Sequence, residues 1–154
     1  MKFFKINKPQ LLKSVPLLLL LCAVLLPGCK KDTSTTSDPL TLLTSRSWKR
    51  TIKDANPSTN PTTAYTYDPT ASCVLDDIFI YTKDGKYNFQ GGPEKCDPSD
   101  QLQYSTTYTV NFQTNTITQF GFDLKILELT ETHMKIAEIL PPAAGGYRIY
   151  LFVH

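Results

Sequence analysis

The chain has 154 residues, with 16 Lys and Arg against 14 Asp and Glu, two histidines and a formal net charge of +2. Four of those lysines (Lys2, Lys5, Lys8 and Lys13) precede residue 14; beyond them 12 basic residues meet 14 acidic ones, about −2 in all. No basic patch survives that division, which argues against a nucleic-acid partner, and the length fits one domain with a real core.

The lysine-rich start carries no acid and runs into an uninterrupted apolar stretch at residues 15–26, with five consecutive leucines at 17–21. A basic region followed by an apolar run this short makes a secretory signal, because a membrane-spanning helix needs about 20 apolar residues. The run ends at Leu26-Pro27-Gly28-Cys29. This segment resembles a bacterial lipoprotein signal peptide, in which a Leu and small residues precede an invariant Cys. The resemblance implies cleavage before Cys29 and lipidation of its sulfur, with acyl chains such as palmitate as the membrane anchor. Cys22 fits less well, since Leu20 and Leu21 stand where small residues belong. Two or more acyl chains anchor stably where one is marginal. Lys30, in place of the Asp that retains such proteins at the inner membrane, implies the outer membrane of the cell envelope. Residues 1–28 are thus expected as the cleaved signal, 29–38 as a flexible tether rich in Ser and Thr, and 39–154 as the folded domain.

Asp38-Pro39 reads as an N-cap and a first helical residue, opening a short turn whose Leu40, Leu42 and Leu43 plug one end of the fold. Trp48, Arg50 and Ile52 share one face of a first strand. Residues 54–72 form a long loop with three prolines, and Asp68-Pro69 opens a helical turn carrying Cys73. Residues 78–82 and 86–90 form a hairpin about Asp84-Gly85, with Tyr87 and Phe89 on one face of its second arm. Cys73 and Cys96 lie equally far from that turn and face each other in a regular ladder. In an exported chain an even pair reads as a structural disulfide; the rival, a metal or redox site, lacks a C-x-x-C and histidines. Strands follow at 104–110 and 116–119, then a hairpin at 124–129 and 134–140 about Thr130-Glu131-Thr132, and a last strand at 147–153. About eight short strands without a long helix predict an all-β, antiparallel barrel or sandwich.

Leu42-Leu43-Thr44 leading into Trp48-Lys49, Cys73 before Asp76-Asp77, Lys83-Asp84-Gly85-Lys86-Tyr87, Lys95-Cys96-Asp97-Pro98 and Leu127-Glu128-Leu129-Thr130 follow one another in a telling order. Over residues 40–153 this order resembles the lipocalin-like domains of bacterial envelope lipoproteins. The resemblance implies an eight-stranded antiparallel barrel whose open end is capped by the loop after the first strand, here residues 54–72. It also implies a small apolar or amphipathic ligand inside, with Trp48, Tyr87, Phe89, Tyr108 and Met134 lining the interior. The same side chains could instead simply fill it. Arg148 would then stack over Trp48 at the closed end. Glu128 and Glu138 share parity with apolar neighbours and point inward unless a β-bulge turns them out.

No G-x-S-x-G, H-E-x-x-H, P-loop or G-x-G-x-x-G occurs. His133 sits at a turn and His154 ends the sequence, so neither reads as a general base. Asp76-Asp77 and Asp97-Pro98-Ser99-Asp100 lack EF-hand spacing and read as turn chemistry. The chain is therefore expected to be no enzyme and to need no cofactor or metal. Its expected partners are the membrane, through its lipid, and a small hydrophobic ligand. The alternative is a solid barrel whose loops meet another envelope protein.

Overall fold

The computed structural model describes residues 37–154; the expected signal segment, Cys29 and most of the expected tether lie outside the described residues. Asp38 caps α1 (Pro39–Thr44), its carboxylate accepting from the Thr41 amide at 3.0 Å, with Pro39 in the first turn. Nine strands follow: β1 (Ser47–Arg50), β2 (Tyr65–Tyr67), β3 (Ile78–Tyr81), β4 (Lys86–Gln90), β5 (Gln103–Asn111), β6 (Thr116–Gln119), β7 (Phe122–Leu129), β8 (His133–Ile139) and β9 (Tyr147–Val153). The order β1-β3-β4-β5-β6-β7-β8-β9 is antiparallel throughout and closes through β1 and β9. This is a closed eight-stranded antiparallel barrel, compatible with a lipocalin-like fold.

The ninth strand, β2, lies inside the stretch expected to be loop. It runs parallel to β9, pairing Tyr65 with Tyr147 and Tyr67 with Ile149. One edge of β9 is thereby shared: β1 takes Phe152 and Val153, and β2 takes the residues nearer its start. Ile52, expected on the inner face of a longer first strand, lies past the end of β1 and is 75% exposed.

Alternation along the strands builds two apolar clusters on opposite faces of the wall. Inside, Trp48, Tyr81, Tyr108, Ile117, Met134 and Phe152 pack the end of the barrel that α1 covers with Leu43. The Trp48 indole Nε1 donates to the Leu43 carbonyl at 3.0 Å, which fastens α1 over that end. Outside, Ala137, Ile149 and Leu151 form a second cluster with Leu127 and Tyr147. The segment between β1 and β2 covers it and does not cap the open end, as its position after the first strand had implied. Its anchor is Lys135, an outward side chain only 3% exposed, which bonds the Asn56 carbonyl, Thr59 Oγ1 and Asn60 Oδ1 and pairs with Asp54 at 2.7 Å. The three donors of a buried ammonium need acceptors, and the returning loop supplies four within reach.

The first hairpin is offset by one residue from the expected ladder. Tyr81 faces Tyr87 and Ile78 faces Gln90, leaving three residues in the loop, with Gly85 at φ +80°. A three-residue loop ending in a left-handed glycine suits the twist of the arms as well as a two-residue turn does. The Cys73–Cys96 disulfide forms all the same, at a Cα separation of 5.3 Å, because the ladder ends before either cysteine.

Candidate functional site

At the end of the barrel opposite α1 the filling stops, leaving a cavity of about 390 Å3. Strand alternation aims Phe79, Tyr87, Leu124, Ile136 and Phe152 into it, all of them buried or nearly so. Phe120 and Phe122 stand at its rim, 52% and 61% exposed. Phe120 and Gly121, at φ +53° and φ +80°, form the two-residue turn between β6 and β7, and Phe122 opens β7. Positive φ at both positions matches the strand twist, but it is strained for a phenylalanine. Edge-on contacts with Tyr87 (5.7 Å between ring centres) and Tyr104 (5.9 Å) hold the Phe120 ring across the mouth.

The polar side chains of the cavity fall into two groups. Glu138 and Arg148 face each other across β8 and β9, 3.8 Å apart, and Tyr150 donates to the same Glu138 oxygen at 2.7 Å. Burial and then the Glu138 bond push the Tyr150 hydroxyl up; the Tyr150 contact likewise raises Arg148. Arg50 forms the second group. Its guanidinium lies 5.1 Å from the ring centre of Tyr150 and 5.3 Å from that of Phe152, an aromatic shelf that suits a planar cation. Nη2 donates to Asp68 at 2.8 Å and to Thr70 at 2.7 Å, at the seam where β2 follows β1 along β9. Nε is buried and meets no acceptor.

The five side chains expected to line the interior all face inward, but they divide between regions. Tyr87 lines the cavity; Trp48, Tyr108 and Met134 are part of the solid packing at the closed end; Phe89 borders a separate hollow of about 380 Å3 beside the disulfide. Burial drives the Tyr87 hydroxyl well above its ordinary pKa, with the neighbouring tyrosines adding to it. Arg148 does not stack over Trp48: it stands at the open end, while Arg50 takes the place above the packed core. Glu138 points inward as its parity implied. Glu128 does not, because a bulge between Ile126 and Glu128 turns it outward to within 4.0 Å of Lys135.

Asp76 and Asp77 serve the disulfide loop. Asp76 accepts from the Glu94 amide and Asp77 from that of Gly92, and a Cβ at Gly92 would run into the Asp76 carboxylate. Asp97 and Asp100 bond within their own turn. Among the described residues no group of three or more potential ligands is placed to hold a metal ion. The lining residues Gln119, Phe120 and Phe122 carried no strong signal in the sequence, since Phe-Gly is a weaker turn marker than Asn-Gly or Asp-Gly.

No family model, no curated protein and no solved structure matches the chain.

Proposed function

We propose that this chain is a lipid-anchored cell-envelope protein, non-enzymatic, whose barrel binds a small apolar or amphipathic ligand. The observation that carries the reading is the cavity of about 390 Å3 at one end of an otherwise packed barrel, walled by aromatic and aliphatic side chains. Ligand sites of this kind are concave and mostly apolar, with a few polar groups to fix orientation. A barrel that served only as a scaffold would gain stability by filling that space, as Trp48 and its neighbours fill the other end.

Native mass spectrometry of the protein purified from its own envelope tests the binding. A stoichiometric added mass that leaves on denaturation supports the calyx; protein bare of any adduct points to the alternative, a barrel whose rim docks on an envelope partner. The exposed Phe120 and Phe122 give that alternative its footing. The anchor at the outer membrane rests on the motif ending in Cys29 and is tested separately. Metabolic labelling with palmitate is expected to mark the protein, and Cys29→Ser is expected to abolish the label. Persistent labelling in that variant would overturn lipidation at Cys29.

A further inference from the structure

We infer that the hollow beside the disulfide binds a small organic cation, an ammonium on an aromatic body, with its charge against Asp77 and its ring against Phe89 and Tyr104. This is a second site: the hollow of about 380 Å3 shares no lining residue with the barrel cavity. It forms where the β3–β4 ladder ends at Gln90 and Gly91-Gly92 follows, and Cys73–Cys96 ties the segment before β3 to the segment after β4. Asp77 lies in its wall, only 7% exposed. Its Oδ1 accepts from the Gly92 amide at 2.9 Å; Oδ2 has no partner among the described residues and is not sealed in, so it opens on the hollow. A carboxylate buried without a countercharge is costly, and in a native protein it calls for an explanation.

The surrounding side chains supply no countercharge. Glu94 and Asp100 also border the hollow, and among the described residues neither they nor Asp77 form an ion pair. Lys95 is the one cation in the lining, and its Nζ turns to the Pro98 and Asp100 carbonyls, at 3.5 and 3.3 Å. Asp76 packs against Gly92 with its Oδ1 buried and without a donor, which adds negative charge nearby. Burial pushes the Asp77 carboxyl above its ordinary value; the Gly92 amide opposes the rise, and the charges of Asp76 and Asp100 add to it. This excess of negative charge suits a cation, and two observations make the cation organic. Among the described residues the carboxylates do not converge as metal ligands do. The lining also holds Leu102, and Phe89 stacked on Tyr104 with 4.8 Å between ring centres. Aromatic side chains pack against other rings and attract cations to their faces. The volume falls within the range of about 300–1,000 Å3 that small-molecule sites occupy.

The full chain, reconstituted in phosphatidylcholine vesicles, is titrated calorimetrically with phenethylammonium, phenylethanol, phenylacetate and methylammonium, using empty vesicles as the partitioning reference. Phenethylammonium is expected to bind at least about tenfold more tightly than phenylethanol, the scale of one charge-assisted hydrogen bond. Methylammonium is expected to bind more weakly than phenethylammonium, and phenylacetate weakest of all. Asp77→Asn keeps Oδ1 for the Gly92 amide and is expected to bring the ammonium-to-alcohol ratio to about one. Hydrogen exchange of the wild type decides the matter if that variant does not fold. Phenethylammonium is expected to protect residues 91–102 and to leave the β6–β7 turn unchanged. Protection at residues 120–124 instead would put the probe in the barrel cavity and overturn the second site. Equal binding of ammonium and alcohol, or an undiminished preference in Asp77→Asn, would remove Asp77 from the site. Methylammonium bound as tightly as phenethylammonium would refute the aromatic contact. If no probe binds, the second site fails while the reading of the barrel cavity stands.

Discussion

Lys135 is the residue that binds the long loop to the barrel, and its partner Asp54 records how tightly. Burial raises the Asp54 pKa, but the bonds from Lys135 and the Tyr67 hydroxyl outweigh it and hold the carboxyl at about 2. The same contact, with burial ahead of it, pushes Tyr67 up to about 12. A carboxylate whose folded pKa is depressed contributes stability that is complete above its ordinary range near 3.8 and is lost as pH falls toward 2. By that linkage the wild type is expected to lose about 2 kcal/mol more than Asp54→Asn between pH 5 and pH 2. Urea denaturation at several pH values measures it; parallel curves for the two proteins would refute it. Lys135→Met removes the acceptors' common partner. It is expected to speed amide exchange at residues 54–60 by at least about tenfold and to leave β7 and β8 protected, as read by hydrogen exchange.

At the level of elements, the seam between β2 and β9 depends on one glycine. Gly146 has φ +78°, and a Cβ there would strike the Ala64 carbonyl, which accepts from the Tyr147 amide at 3.0 Å where β2 begins. Gly145, at φ +64°, meets nothing within 4 Å. Gly146→Ala is therefore expected to cost about 2 kcal/mol, and Gly145→Ala about 1 kcal/mol, the backbone cost alone. Thermal denaturation of the pair separates the two effects; equal losses would mean that the close approach to Ala64 does not matter. This seam is also where the sequence was least legible. Alternation marked the strands of both main hairpins and β9, and the Asp38-Pro39 cap marked α1, because those signals are local. Tyr65-Thr66-Tyr67 is too short to display a period, and its pairing is settled by β9, some 80 residues away. The offset at Lys83-Asp84-Gly85 escaped for a related reason: two-residue and three-residue loops both welcome glycine, and contacts across the strands choose between them. Inward parity identified Glu138 but not Glu128, since a bulge depends on the partner strand. Arg50 could be placed on the face of Trp48, but its bonds to Asp68 and Thr70 appear only once β2 is seated along β9.

For the molecule as a whole, the disulfide spans 23 positions and closes a loop that lies beyond the end of its ladder. Replacing both cysteines with serine is expected to lower stability by about 3 kcal/mol in the chain-entropy account and to leave the barrel's circular dichroism unchanged. Chemical denaturation of that variant against the oxidised wild type measures the loss; a change in the spectrum would mean that the bridge shapes the barrel as well. The division of the interior into a packed end and an open one then sets what each variant reports. Substitutions about Trp48 act on folding, and those that line the cavity test the proposed ligand binding. The shared edge of β9 carries a kinetic consequence. Lys49 meets Val153 and Arg50 meets Phe152 across more than 100 positions, so the ring closes only after residues 147–153 exist to join β8, β1 and β2 at once. Until then β1 and β8 present unpaired edges, open to pairing with another chain, and such distant closure makes folding slow. The interval between synthesis of β8 and arrival of β9 is therefore the period in which this protein is most exposed to aggregation.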